Sequence, residues 1–130
     1  MIIAATSCSI PKTTLIATPC SLAWGVSVFA RVVAVNIVGS SPVSSVGNGA
    51  YIQTYPASPI NFANNPSVTS ASQIGLTWSP STFTGGVPVI DYAIIYDNGL
   101  ANNVYIPVQS GITTTSFTVV GLSVGKTYNF

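Results

Sequence analysis

The chain has 130 residues, which fits one domain, or one small module with part of another. Apolar residues make up 48% of it and charged residues only 4%, against about 25% in an ordinary soluble domain. Three scattered cations and no histidine exclude a basic track for nucleic acid and a His-containing zinc site.

In chain order, the first landmarks are Cys8 and Cys20. Two readings stay open for them: one disulfide in an oxidising compartment, or two small buried apolar side chains. Helical periodicity is almost absent, and residues 26–38 are rich in β-branched types that predict a strand. A turn at 39–42 leads to a second run at 43–54. The sequence contains no run of about 18 apolar residues, so it predicts no membrane-spanning segment.

The stretch 56–59, Pro-Ala-Ser-Pro, predicts a stiff linker because proline fixes φ and restrains the residue before it. Beyond it, short strands alternate with turns and no helix intervenes, which predicts an antiparallel sandwich. The predicted elements are strands at 73–79, 89–96, 103–108 and 114–120, with a loop at 84–88 and a turn at 97–99.

Residues 59–130 resemble a fibronectin type III module. The segments that carry the resemblance are Pro59, Leu76-Thr77-Trp78-Ser79-Pro80, Gly85-Gly86-Val87-Pro88-Val89-Ile90-Asp91-Tyr92, Thr115-Ser116-Phe117-Thr118-Val119 and Gly121-Leu122-Ser123-Val124-Gly125-Lys126-Thr127-Tyr128. The resemblance implies an all-β, immunoglobulin-like antiparallel β-sandwich. It also implies a tyrosine corner, in which the tyrosine hydroxyl bonds to the backbone of the preceding turn. The implied core and fold signature is Trp78, Tyr92, Phe117, Leu122 and Tyr128.

The N-terminal part is similar to the closing strands of a preceding module. Residues 32–41 resemble the penultimate strand of the family and its turn, and Leu22-Ala23-Trp24-Gly25 resembles the approach to the corner, with Val28 at the tyrosine position. Residues 9–16 are matched to the strand before that corner. The resemblance implies incomplete modules in tandem: 1–55 as the end of one module, 56–59 as linker and 60–130 as most of a second. The whole is similar to tandem fibronectin type III proteins of protist surfaces and coats.

No catalytic, cofactor or metal site is predicted. Asp91 and Asp97 are the only carboxylates, and along one strand they lie about 20 Å apart, too far for a glycosidase pair. Serine and threonine have no histidine or glutamate to activate them. We expect Asp91 on the surface and Asp97 in a turn. The chain is therefore predicted not to be an enzyme.

The net charge of +1 provides little repulsion between copies, which favours association. Apolar strand faces without a partner sheet would cost roughly 1.5–3 kcal/mol per large side chain, so they must be covered. We predict covering by another copy, through an assembly strand that contains Val28, Val32, Ala34 and Val35, or by covalent tandem neighbours. O-linked glycans are a further expected partner, because the single Asn-Pro-Ser triplet at 65–67 is blocked by its proline.

These observations predict a structural protein, a building block of an extracellular fibre, filament or coat made of end-to-end sandwiches. Two alternatives remain. The first is an adhesion or ligand-binding module that uses loops 82–86 and 97–99, and the second is a spacer in a larger secreted protein.

Overall fold

The structure is a computed structural model that describes residues 7–130, apart from the side chain of Asn48. Its elements are α1 (Lys12–Ile16), β1 (Ser27–Ala30), β2 (Gly47–Tyr51), β3 (Ile60–Asn64), β4 (Gln73–Ser79), β5 (Tyr92–Tyr96), β6 (Ile106–Ile112) and β7 (Ser116–Val120). The described chain forms two compact units. The first contains the residues up to Tyr55 together with Gly85–Val87, and the second contains Pro56–Thr84 and Pro88–Phe130.

The first unit begins with a single helical turn, α1, where a strand was predicted. Pro11 precedes the turn with φ −58°, and its carbonyl accepts a hydrogen bond from the Thr14 N–H at 3.0 Å. Proline suits this position because the first N–H groups of a helix have no intrahelical partner. The prediction of a strand over 9–16 is therefore wrong.

The rest of the first unit is a two-stranded antiparallel ladder of β1 and β2, in which Ser27 pairs with Tyr51 and Val28 with Ala50. The register shifts between Val28 and Ala30, and the regular strand ends at Ala30. The predicted strand over 26–38 is thus much shorter than expected. Among the described apolar residues of this unit, Ile52 is the one that is fully buried.

The second unit is a sandwich of two antiparallel sheets, one ordered β3-β4-β7 and the other β5-β6. β4 spans the residues that its alternation predicts, and it pairs with β7 in continuous register from Gln73–Val120 to Thr77–Ser116. The pairing of β5 with β6 has two register shifts, and at each of them β6 contains one residue more than β5. The predicted partner strand at 103–108 begins later, because Ala101 and Asn103 extend the turn with positive φ.

The core lies between these two sheets. Leu76 and Trp78 of β4 pack with Ile94 of β5, and the Trp78 and Tyr92 rings meet edge to face at 5.4 Å between centroids. The buried cluster is Leu76, Trp78, Ile94, Ile112 and Val119. The prediction of an all-β antiparallel sandwich is confirmed. Within the described residues, no helix has the length and apolar character that crossing a membrane requires.

Replacing Leu76 by alanine tests whether this cluster holds the second unit together. Leu76 is 3% exposed, so Leu76→Ala leaves a cavity and is expected to lower the free energy of unfolding by about 2–5 kcal/mol. Ile90→Ala is the matched control, since Ile90 is 84% exposed and should change stability by less than about 0.5 kcal/mol. Urea unfolding followed by tryptophan fluorescence measures both, and equal effects would contradict this assignment of the core.

Candidate assembly surface

The edge of β5 away from β6 contacts Asn129 at one end. At its end, the Asp97 N–H donates to the Asn129 carbonyl at 3.0 Å. Amide directions alternate along a strand, so the amides of Ala93 and Ile95 face this same edge. Among residues 7–130, β6 is the only strand that pairs with β5. We call the backbone of Ala93–Ile95 on this side the β5 edge.

Two clefts reach core residues of the second unit. One has a volume of about 420 Å³, is lined by Phe62, Trp78 and Ile94 among others, and adjoins β5. The second has a volume of about 560 Å³ and is lined by Leu76, Tyr105 and Tyr128 among others. Phe62 and Phe130 contribute to both.

Trp78, which contributes to the lining of the first cleft, has a buried donor without a partner. Its indole Nε1–H is buried and has no acceptor among the described residues. Buried N–H groups nearly always have a hydrogen-bond partner, and leaving one unpaired costs about 1–3 kcal/mol.

Asp97 joins the end of β5 to the end of the chain. Its side chain is 1% exposed and accepts hydrogen bonds from the Gly99 N–H at 2.9 Å, the Ala101 N–H at 3.3 Å and the Asn129 N–H at 3.1 Å. The Asn129 side-chain amide donates a fourth bond at 2.6 Å. Sequence reasoning found the turn role of Asp97 but missed the bonds to Asn129, since no local pattern links positions 32 residues apart.

These contacts lower the pKa of Asp97. The largest cause is the hydrogen bond from the Asn129 side chain, and the backbone bonds from Asn129, Gly99 and Ala101 act in the same direction. Desolvation opposes them by raising the pKa, but less strongly. The carboxylate is therefore held in its charged form, and its protonation weakens the link between the turn and residue 129.

Aromatic side chains pack against one another where residues 128–130 meet the end of β5. The Tyr128 hydroxyl accepts a hydrogen bond from the Ser123 N–H at 2.9 Å, the geometry that a tyrosine corner requires. Tyr96 stacks on Tyr128 with 6.1 Å between centroids and on Phe130 with 6.2 Å. Leu122 and Phe117 pack partly buried against the core. Residues 128–130 are thereby fixed against β5.

The first unit presents an irregular hairpin over 32–44. The Ser44 N–H donates to the Val32 carbonyl at 2.9 Å, and the Ser41 N–H donates to the Ala34 carbonyl at 2.8 Å. In return, the Val32 N–H donates to Ser44 Oγ and the Ala34 N–H to Ser41 Oγ, each at 3.0 Å. Asn36 Oδ1 closes the turn by accepting from the Val38 N–H at 2.8 Å. Serine hydroxyls thus accept the hydrogen bonds that backbone carbonyls would accept in a regular antiparallel ladder.

The apolar side chains of this 32–44 hairpin are exposed. Val32 is 70% exposed and Val33 45%. Of the predicted assembly strand, Val28 is half-buried in β1, whereas Val32, Ala34 and Val35 are exposed. An exposed apolar edge of this kind is a template for pairing with another strand.

The remaining sequence-predicted residues do not gather into a site. Cys8 and Cys20 are exposed free thiols in the structure, so their disulfide stays a prediction. Asp91 is exposed, and Lys12 Nζ lies 5.7 Å from the Trp24 ring centroid. Within the described part of the chain, no three acidic, cysteine or histidine side chains are placed to hold a metal.

Comparison with protein families identifies the second unit. The model of the fibronectin type III domain matches residues 58–130. The chain belongs to the fibronectin type III family. Domains of this family are typical of structural, adhesion and spacer modules and are generally non-catalytic. The assignment of 1–55 to a preceding fibronectin type III module stays a prediction, because the match does not reach those residues.

A titin structure shares the fold. A crystal structure of domains A168–A170 from titin is 21% identical, with a TM-score of 0.55, and the match covers 77% of this chain and 32% of the titin chain. The chicken CNTN1 FN1–FN3 domains are 22% identical, with a TM-score of 0.46, over 84% of this chain and 36% of that one. This fibronectin type III chain therefore spans about a third of the length of either. No curated protein matches it.

Acidification tests the role of Asp97. A carboxylate whose folded pKa is lowered stabilises the protein fully above its unfolded pKa of about 3.9, and this stabilisation is lost as the pH falls through the folded value. The melting temperature of the wild type should therefore fall as the pH drops below about 5. Asp97→Asn should melt lower at neutral pH and lose much of this pH dependence.

The control for Asp97 is Asp91→Asn, which changes the exposed carboxylate instead. It should keep the wild-type melting temperature and its acid slope. Melting curves for Asp97→Asn that run parallel to those of the wild type at every pH would contradict the assigned role.

Proposed function

We propose that this fibronectin type III chain is a non-catalytic structural protein. It assembles with copies of itself, or with covalent tandem neighbours, into an extracellular fibre, filament or coat of end-to-end sandwiches that neighbouring strands complete. The observation that carries the proposal is the exposed apolar hairpin over 32–44, in which Val32 is 70% exposed and Val35 is 69% exposed. Exposed strand edges with apolar side chains are templates for strand addition, in which backbone bonds and side-chain packing join two chains.

The charge distribution supports assembly. Five charged residues in 130 provide little electrostatic resistance to close approach between copies. Exposed apolar side chains occur in both units, including Ile37 in the first and Ile60 and Phe62 in the second. Patches of this type in a soluble domain mark interaction surfaces. Contacts between copies are thus favoured by burial of apolar area.

The adhesion alternative has less support, because several polar groups of its two loops are hydrogen-bonded within the chain. In loop 82–86, the Gly85 carbonyl accepts a hydrogen bond from the Thr54 N–H, and the Phe83 carbonyl accepts one from the Ala57 N–H. In turn 97–99, the Asp97 carboxylate is saturated by four internal donors. These bonded groups are not available to a ligand.

Self-assembly is tested with the 130-residue chain and with native material. We expect sedimentation velocity to show species that grow between micromolar and millimolar protein, because apolar burial between copies drives association. Electron microscopy should show filaments or rods with a repeat of one module. Monodisperse monomers across this range would contradict self-assembly. In that case, an intact native mass above 13.4 kDa would indicate either a longer covalent chain with tandem neighbours or attached sugar.

A further inference from the structure

We propose that β7 is a pairing edge at which two copies of the chain join side by side, with Thr118 of one copy opposite Thr118 of the other. The two strands run antiparallel, so the three-stranded sheets of both copies form one continuous sheet across a two-fold axis. This inference goes beyond the proposed function and does not rest on it, because such a pair forms whether or not copies also join end to end.

β7 is the outermost strand on one side of its sheet. The sheet is ordered β3-β4-β7, and within residues 7–130 β4 is the one strand that pairs with β7. The chain that follows β7 crosses to the other sheet, where the Asn129 carbonyl accepts a hydrogen bond from the Asp97 N–H at the end of β5. The free side of β7 is therefore not the side along which the chain continues.

The pairing of β4 with β7 determines which backbone groups of β7 face the free side. The Trp78 N–H donates to the Thr115 carbonyl at 3.0 Å, and the pairs that follow along both strands keep this register. Hydrogen-bonded pairs alternate with non-hydrogen-bonded pairs in an antiparallel ladder, so Phe117 and Val119 bond to β4. The residues whose N–H and C=O groups face the free side are Ser116, Thr118 and Val120.

β7 lacks the features that usually protect a strand edge, namely charged side chains, proline and β-bulges. The outer strands β3 and β6 both have such features. β6 contains Pro107 and Gly111, the latter at φ 71°, and its pairing with β5 has two register shifts. β3 has a register shift in its pairing with β4 and has Asn61 at φ 54°. The residues of β7, Ser-Phe-Thr-Val-Val, include no charge and no proline, and their register with β4 is unbroken.

The backbone of β7 is complementary to itself in antiparallel orientation. When Thr118 opposes Thr118 of a second copy, Ser116 of each copy opposes Val120 of the other, and every outward-facing residue meets an outward-facing residue. Any other antiparallel register leaves an outward-facing residue of β7 without a counterpart. The Ser116 carbonyl also accepts a hydrogen bond from the Thr114 hydroxyl at 2.8 Å, and its second lone pair remains for the N–H of the second copy.

The side chains of β7 suit this register on both faces of the sheet. Val119 is buried in the core, so Thr118 and Val120 lie on the outer face. Thr–Thr pairs directly opposite each other are favourable cross-strand pairs. Val120 is 68% exposed, and pairing with Ser116 of a second copy removes part of this apolar surface from water. On the core face, Phe117 falls opposite Val119 of the second copy, which is an aromatic and β-branched pair.

No charge opposes the approach of two such edges. A symmetric contact brings the residues at its centre close to their own copies, so a charged residue there would repel itself. Residues 98–125, which include all of β6 and β7, contain no charged side chain. The chain thus combines an unprotected edge with an uncharged surrounding sequence, which favours a second copy of this edge as the partner.

Charge substitutions at Thr118 in the full 130-residue chain test the contact and its register together. Thr118→Lys places two ammonium groups at the two-fold axis and Thr118→Glu two carboxylates, so each should weaken the association constant at least about tenfold by sedimentation equilibrium. An equimolar mixture of the two variants opposes lysine to glutamate and should associate to within about threefold of the wild type. A mixture that associates no better than either variant alone would overturn the register.

Ala63→Lys is the matched control. Ala63 is exposed on β3, at the other side of the same sheet, so its charge lies outside the contact. This variant should associate within about twofold of the wild type. Circular dichroism of all three variants should show cooperative melting, which separates a lost contact from a lost fold. A loss of association in Ala63→Lys as large as that in Thr118→Lys would overturn β7 as the surface.

Hydrogen exchange of the wild-type chain, followed by NMR, supplies a measurement that needs no substitution. The amides of Thr118 and Val120 should exchange at least about tenfold more slowly as the protein concentration rises through the association range. The amides of Phe117 and Val119 bond to β4 within one copy, so their protection should not depend on pairing in this way. Slow exchange of Thr118 and Val120 at every concentration would assign the edge to the same chain and overturn the proposal.

The inference and the proposed function fail in different ways. Species that grow with concentration while the Thr118 and Val120 amides keep exchanging fast would overturn pairing at β7 and leave end-to-end assembly in place. A wild-type chain that stops at a dimer, protects these two amides and loses association in Thr118→Lys would support the inference and contradict filament growth. A wild-type chain that stays monomeric at millimolar concentration would overturn the pairing edge.

Discussion

The second unit depends on a match between sheets of unequal width. Three strands, β3, β4 and β7, face two, β5 and β6, and adjacent strands are spaced about 4.8 Å apart. The buried cluster around Leu76, Trp78 and Ile94 forms where the sheets overlap. β3 is the outer strand of the three-stranded sheet, and its Ile60 and Phe62 are about half exposed. Phe62 also lines both clefts.

The sequence predicts this fold where a segment alternates between a buried and an exposed face. β4 is the clearest case, because Ile74, Leu76 and Trp78 share the core side and the strand has a pairing partner along its length. Prediction fails in the first unit, where apolar residues 32–38 have strand propensity but no sheet against which to pack. Propensity alone then gives a hairpin held by serine hydroxyls and an Asn36 turn. The helix at Lys12–Ile16 is too short for periodicity to reveal.

The candidate site likewise combines residues that the sequence predicts with a contact that it does not predict. Tyr128 belongs to a local motif, the tyrosine corner, and can be found from the sequence. The Asp97–Asn129 contact cannot, since it joins positions far apart in the chain and depends on how residues 128–130 meet β5.

The scarcity of charge matters most at the 32–44 hairpin. Proteins commonly protect exposed strand edges with lysine, inward-pointing charges or proline, which prevent unplanned pairing. Residues 32–44 contain no charged side chain, and Val32, Val35 and Ile37 are exposed there. Because little charge opposes close approach, burial of these side chains between copies is favoured by the apolar area removed from water.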